Sequence, residues 1–103
     1  MAVVKIKFLD PTQMISMYRG IAKQPGTARV LLKEGYYDKE SELFVVNGDS
    51  EDAAQEVFDL TNNPSRHDER QEKYGTGRSL SVGDIVVVGE EQWLCCSIGW
   101  QSI

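Results

Sequence analysis

One histidine and two cysteines make up the whole imidazole and thiol content of this 103-residue chain. That scarcity excludes most side-chain chemistry at the outset. Structural zinc sites gather four protein ligands and catalytic ones about three, whereas His67 has only Asp68 and Glu69 beside it. Cys95 and Cys96 are adjacent. Neighbours in a strand point to opposite faces, so they do not readily bond to each other, and they lack the CxxC spacing of redox and zinc motifs. Both are expected to be reduced, core-type residues, with no metal and no cofactor bound. A His-Asp pair of sequence neighbours does not form a catalytic dyad, because adjacent side chains rarely meet in the required geometry. No serine or cysteine occupies a nucleophile-elbow pattern, and neither a P-loop nor a dinucleotide fingerprint occurs. Gly75-Thr76-Gly77-Arg78 resembles a phosphate cradle only loosely. Catalysis is therefore not expected.

Long apolar runs are missing too. Nothing approaches the roughly 20 residues that cross a bilayer, and Lys5 and Lys7 interrupt a start too short and polar for a signal peptide. The expected setting is cytoplasmic, without a membrane partner. With 41% hydrophobic and 26% charged residues, the composition is that of a chain that buries one core, and this length suits a single domain.

The net charge of −5 is distributed unevenly. Met1–Lys33 holds six bases against Asp10 alone, whereas Glu34–Asp59 holds nine acids against Lys39 alone. Such a chain is poorly suited to broad phosphate binding, and its basic and acidic parts can face each other in the fold.

Alternation of Val4, Ile6 and Phe8 with Lys5 and Lys7 predicts a strand over Ala2–Leu9. Asp10-Pro11 has the chemistry of a helix start, and Met14, Met17, Tyr18 and Ile21 make one apolar stripe before Pro25-Gly26. Strands are predicted over Ala28–Lys33 and Glu42–Val46, followed by an Asn47-Gly48 turn. A second helix, capped by Asp49 or Ser50, runs from Glu51 to Thr61. It turns Ala53, Ala54, Val57, Phe58 and Leu60 inward and Asp52, Glu56 and Asp59 outward. Asn62-Asn63-Pro64 stops it, and residues 62–78 read as a charged loop. Ile85–Val88 and Gln92–Ile98 form a hairpin around Gly89-Glu90-Glu91. The order β-α-β-β-α-β-β predicts one α+β domain over residues 1–103, with a mainly antiparallel sheet of about five strands and two helices.

The segments "VFDLTNNPSR", "YGTGRSLSVGDIVVV" and "WLCCSIGW" together resemble the closing motif of YodL-like small proteins of bacteria, phages and mobile elements. The matching residues are Gly77 to Asp84, Gly99 and Trp100, while Met1–Gly48 carries no such likeness. The resemblance implies a setting, a phage- or mobile-element-borne protein in its host's cytoplasm, but no activity. Physically, Gly83 suits a turn that needs positive φ. Asp84 or Ser81 can fix that turn through backbone N–H groups, with Leu80 and Val82 as apolar anchors. Arg78 is not required by a turn; it either braces the loop or contacts a phosphate or a partner.

Two binding readings follow. The favoured one is an acidic protein-interaction module, a modulator of a host factor. Its contact is the helix row Asp52, Glu56 and Asp59 at i, i+4 and i+7, or the loop around Arg78. The alternative is a nucleic-acid binder using Arg66, Arg70, Lys73, Tyr74 and Arg78, against which Asp68, Glu69 and Glu72 weigh in the same stretch. For the cysteines, titration after denaturation is expected to find two free thiols, and elemental analysis no stoichiometric zinc. Fewer thiols or bound zinc would overturn that reading.

Overall fold

The computed structural model describes residues 2–10, 25–38, 44–74, 79–96 and 99–103. The helix predicted after Asp10-Pro11, and Arg78, lie outside these residues. Five strands form one sheet: β1 (Ala2–Lys7), β2 (Phe44–Val46), β3 (Ile85–Val88), β4 (Glu91–Cys95) and β5 (Trp100–Ser102). Their spatial order is β2-β1-β3-β4-β5, and every neighbouring pair is antiparallel. Three α-helices accompany them among the described residues: α1 (Pro25–Lys33), α2 (Ser50–Asn62) and α3 (His67–Lys73), the last preceded by a 3₁₀ turn over Pro64–Arg66. The class is α+β.

The alternation in β1 decides how the sheet packs. Val4 pairs with Val88 and Ile6 with Val86, so these four side chains share one face. With Cys95 and Trp100 they are buried in one cluster with Ala53, Ala54, Val57 and Leu60 of α2. Alanine at 53 and 54 lets the helix axis approach the sheet closely. On the opposite face, Ile85 and Leu94 are register partners and are buried with Leu9 and with Leu31 of α1. Burying each such aliphatic side chain contributes roughly 1.5–3 kcal/mol, so helices on both faces supply the core that the sheet alone lacks.

Three expectations are corrected. Ala28–Lys33 is helix, not strand. Its Val-Leu-Leu run suits either state, but its other residues, Ala, Arg and Lys, are good helix formers, and Val30 stands 53% exposed while Leu31 is buried. Leu32 beside it also packs against that cluster, and two adjacent inward residues do not fit the alternation of a strand. The helix ends in a Schellman motif: Tyr36 N–H donates to the Leu31 carbonyl at 3.0 Å and Gly35 N–H to the Leu32 carbonyl at 3.2 Å. Gly35 has φ +86°, as a helix-ending glycine does.

The predicted loop over 62–78 contains the 3₁₀ turn and α3. Neither carries a buried residue, so no apolar periodicity could announce them. The strand predicted over Gln92–Ile98 ends at Cys95. Cys96 N–H donates to the Gly99 carbonyl at 3.0 Å, the chain reverses, and Trp100 pairs with Cys95 to start β5.

Asn47-Gly48 leads into α2, but the Asp49 side chain makes no cap hydrogen bond. Its carbonyl accepts the Asp52 and Ala53 N–H groups at 3.0 and 3.3 Å. Ser50, with φ +50°, donates its hydroxyl to Glu91 Oε1 at 2.7 Å, which fastens the start of α2 to the start of β4.

The turn before β3 closes with Asp84 N–H donating to the Ser81 carbonyl at 3.0 Å. Gly83 within it is buried and has φ +98°, a region closed to β-branched residues. Gly83→Val is expected to destabilise the protein by about 1–3 kcal/mol, read as a lower urea midpoint. An unchanged midpoint would show that the turn tolerates a side chain.

Candidate functional site

Residues 79–84, the centre of the motif, lie between the end of α2 and the sheet. Asp84 is fully buried. Its Oδ1 accepts the Leu9 N–H at 2.8 Å and its Oδ2 the Ser81 N–H at 2.8 Å. The Asp84 carbonyl accepts the Cys95 N–H at 2.9 Å, and Gly83 N–H donates to the Cys95 carbonyl at 2.8 Å. One residue thus ties the chain beyond β1, the turn and β4. Leu80 is buried, its N–H donating to Thr61 Oγ1 at 3.1 Å and its carbonyl accepting Asn62 Nδ2 at 2.9 Å. The Thr61 carbonyl accepts Ser79 Oγ at 2.7 Å and Arg70 Nη1 at 2.8 Å. Carbonyls at a helix C-terminus lack partners within the helix; here the motif and Arg70 supply them.

The same buried carboxylate acts on two neighbours. Burial, reinforced by the Asp84 charge and by Cys96, pushes the Cys95 thiol from 9 up to about 12. Burial also raises the Cys96 thiol, so neither offers an activated thiolate. Neither cysteine is in a disulfide. Tyr37, whose hydroxyl donates to the Gly83 carbonyl at 2.6 Å, is raised likewise by burial and then by Asp84.

Two small cavities border this region. One, of about 160 Å³, is lined by Gln55, Phe58, Cys95, Cys96, Gly99 and Trp100. The other, of about 150 Å³, is lined by residues that include Thr61, Asn62, His67, Arg70 and Ser79. Small-molecule sites usually measure about 300–1,000 Å³, so both fall well short. Among the described residues no cluster of His, Cys, Asp and Glu could hold a metal ion. No helix of the described residues is long and apolar enough to cross a membrane.

The acidic row of α2 is divided. Glu56 and Asp59 both belong to Arg66: Nη1 donates to Glu56 Oε1 at 2.6 Å and to Asp59 Oδ2 at 2.7 Å, and Nη2 to Glu56 Oε2 at 3.0 Å. Arg66 Nε and Nη2 also donate to the two Glu69 oxygens at 2.9 and 2.8 Å. A guanidinium has five N–H donors, and every one is engaged. Lys73 joins Glu69 at 3.3 Å. Its hydrogen bonds to Glu56, Glu69 and Asp59 raise the Arg66 pKa further above its already high value, in that order of weight. Arg66, acting through its hydrogen bond, lowers that of Glu69. Asp52, the third member of the row, is exposed and makes no ion pair among the described residues. Around it lie exposed Asp49 and Glu51, and across the Ser50–Glu91 contact, exposed Glu90 and Glu91. The uncompensated acids therefore gather where α2 begins, not along its length.

Of the cations proposed for nucleic acid, the described Arg66, Arg70 and Lys73 already have partners within the protein. Arg66 is saturated; Arg70 also reaches Ser79 Oγ at 3.1 Å and lies 5.6 Å from the Tyr74 ring centre; Lys73 is paired with Glu69. Tyr74 packs against the core. The role of Arg66 had one sequence signal: an arginine just past the Asn62-Asn63-Pro64 stop, which folds it back towards Glu56 and Asp59. No family profile, curated protein or solved structure matches the chain.

Because the Cys95 and Tyr37 pKa values are raised on folding, the unfolded chain loses these protons first as pH rises. The stability that they confer is complete below the ordinary thiol value of 9 and is lost progressively towards 12. The urea midpoint should fall across that window, and Cys95→Ala should flatten the fall relative to the unsubstituted protein. An identical slope in both would remove Cys95 from the cause.

Proposed function

We propose that this protein is an interaction module that acts by binding rather than catalysis, docking a basic surface of a partner protein at the N-terminal end of α2. The observation that supports this is the convergence of Asp49, Glu51, Asp52, Glu90 and Glu91, all exposed, around the Ser50–Glu91 hydrogen bond. Charges on a rigid helix start and a tight hairpin lose little conformational freedom on association, and a one-signed patch steers an oppositely charged partner. The YodL-like motif adds a setting: a phage or mobile-element protein that modulates a host factor in the cytoplasm. Nucleic acid is the less favoured partner, because Arg66, Arg70 and Lys73 are already engaged.

An oligo-arginine peptide serves as the probe. The protein should bind it in a salt-dependent manner, and a folded Glu51→Lys, Asp52→Lys, Glu90→Lys variant should bind roughly tenfold or more weakly. DNA and RNA should bind more weakly than about micromolar at physiological salt. Equal peptide binding by the variant would refute the docking surface, and a tight, salt-sensitive nucleic-acid shift would promote the nucleic-acid reading instead.

A further inference from the structure

We infer that residues 64–74 form a strap held on the outer face of α2 by charge rather than by apolar burial, and that loss of the Arg66 contact releases this strap and uncovers Glu56 and Asp59 beside Asp52. The geometry stands by itself; the consequence for binding rests on the docking role proposed for α2.

Elements of the sheet and α2 are held by buried aliphatic side chains. The strap is not: its 3₁₀ turn and α3 have no buried residue, and only the half-buried Tyr74 at its end touches the core. Seven residues are too few for a helix to persist in water alone, so α3 depends on being docked. Segments with little apolar burial open locally at the lowest free energies.

Among the described residues, the ion pairs that join the strap to α2 run through one group. Arg66, with its side chain only 19% exposed, joins Glu56 and Asp59 of α2 to Glu69 of α3. Remove the guanidinium and three carboxylates face one another across the joint, with Asp68 and Glu72 adding charge on the strap side. Repulsion then replaces attraction. Arg70 follows Arg66 by four residues, so its contact with the Thr61 carbonyl and that of Arg66 both draw on the same helical turn. Fraying one weakens the other. Once the strap is off, Asp52, Glu56 and Asp59 form the uninterrupted acidic row that Arg66 now interrupts, on the helix face continuous with the acids at its start.

Hydrogen exchange in Arg66→Gln and in Glu56→Gln, Asp59→Asn tests this. In both, amides 67–74 should exchange roughly tenfold faster or more, while those of Val86 and Leu94 in the sheet keep their protection. Unchanged exchange in 67–74, or an equal rise in the sheet, would overturn the strap. So would an effect in Arg66→Gln alone, since Arg66 would then act through Glu69 within the strap itself. The oligo-arginine peptide should bind Arg66→Gln at least roughly tenfold more tightly than Arg29→Gln, a charge-matched variant on α1. A loosened strap with equal peptide affinity in these two would uphold the release and overturn the docking role of the α2 face.

Discussion

A carboxylate removed wholly from solvent is tolerated only where hydrogen bonds replace its water, and the arrangement around Asp84 follows from meeting that demand. Two backbone N–H groups converge on it, one from Leu9 just beyond β1 and one from Ser81 in the turn. Both segments must sit where the carboxylate can reach them, so the position of β3 between β1 and β4 and the tight turn before it are coupled. The buried glycine at 83 and the anchoring of Leu80 to the end of α2 belong to the same constraint. The described centre of the motif, residues 79–84, is thereby accounted for as a structural joint.

A second partition concerns charge. The excess of acids is not spread evenly over the surface. Arg66 and Lys73 absorb Glu56, Asp59 and Glu69, and the remaining exposed carboxylates near α2 concentrate at one end. Ion pairs on a protein surface usually contribute little individually. A guanidinium with all five donors engaged differs in geometry, because it fixes the relative placement of two helices that share no buried apolar contact through α3 itself.

How much of this was legible beforehand depended on whether burial left a periodic trace. Val4 and Ile6 alternate with lysines, and Ala53, Val57 and Leu60 recur at helical spacing, so β1 and α2 could be read directly. Val30-Leu31-Leu32 fits two states, and Gly35, which resolves the ambiguity as a helix cap, sits two residues past the helix and reads equally well as a loop glycine. For α3 there was nothing to read, since its support is ionic and comes partly from residues ten positions upstream. The separation of β4 from β5 left no trace, because Cys96-Ser97-Ile98-Gly99 contains no strong turn dipeptide. The free and the neutralised acids of α2 share one spacing, and only the fold of the Asn62-Asn63-Pro64 stop tells them apart.

The sheet's margins bear on how any partner can be met. Among the described residues, β2 at one border and β5 at the other span three residues each, while the longer strands lie between them. A margin that short presents few open main-chain groups for an added strand to zip onto. On the binding role proposed above, the described margins favour side-chain chemistry, which can discriminate one partner from another, over backbone templating, which is indifferent to sequence.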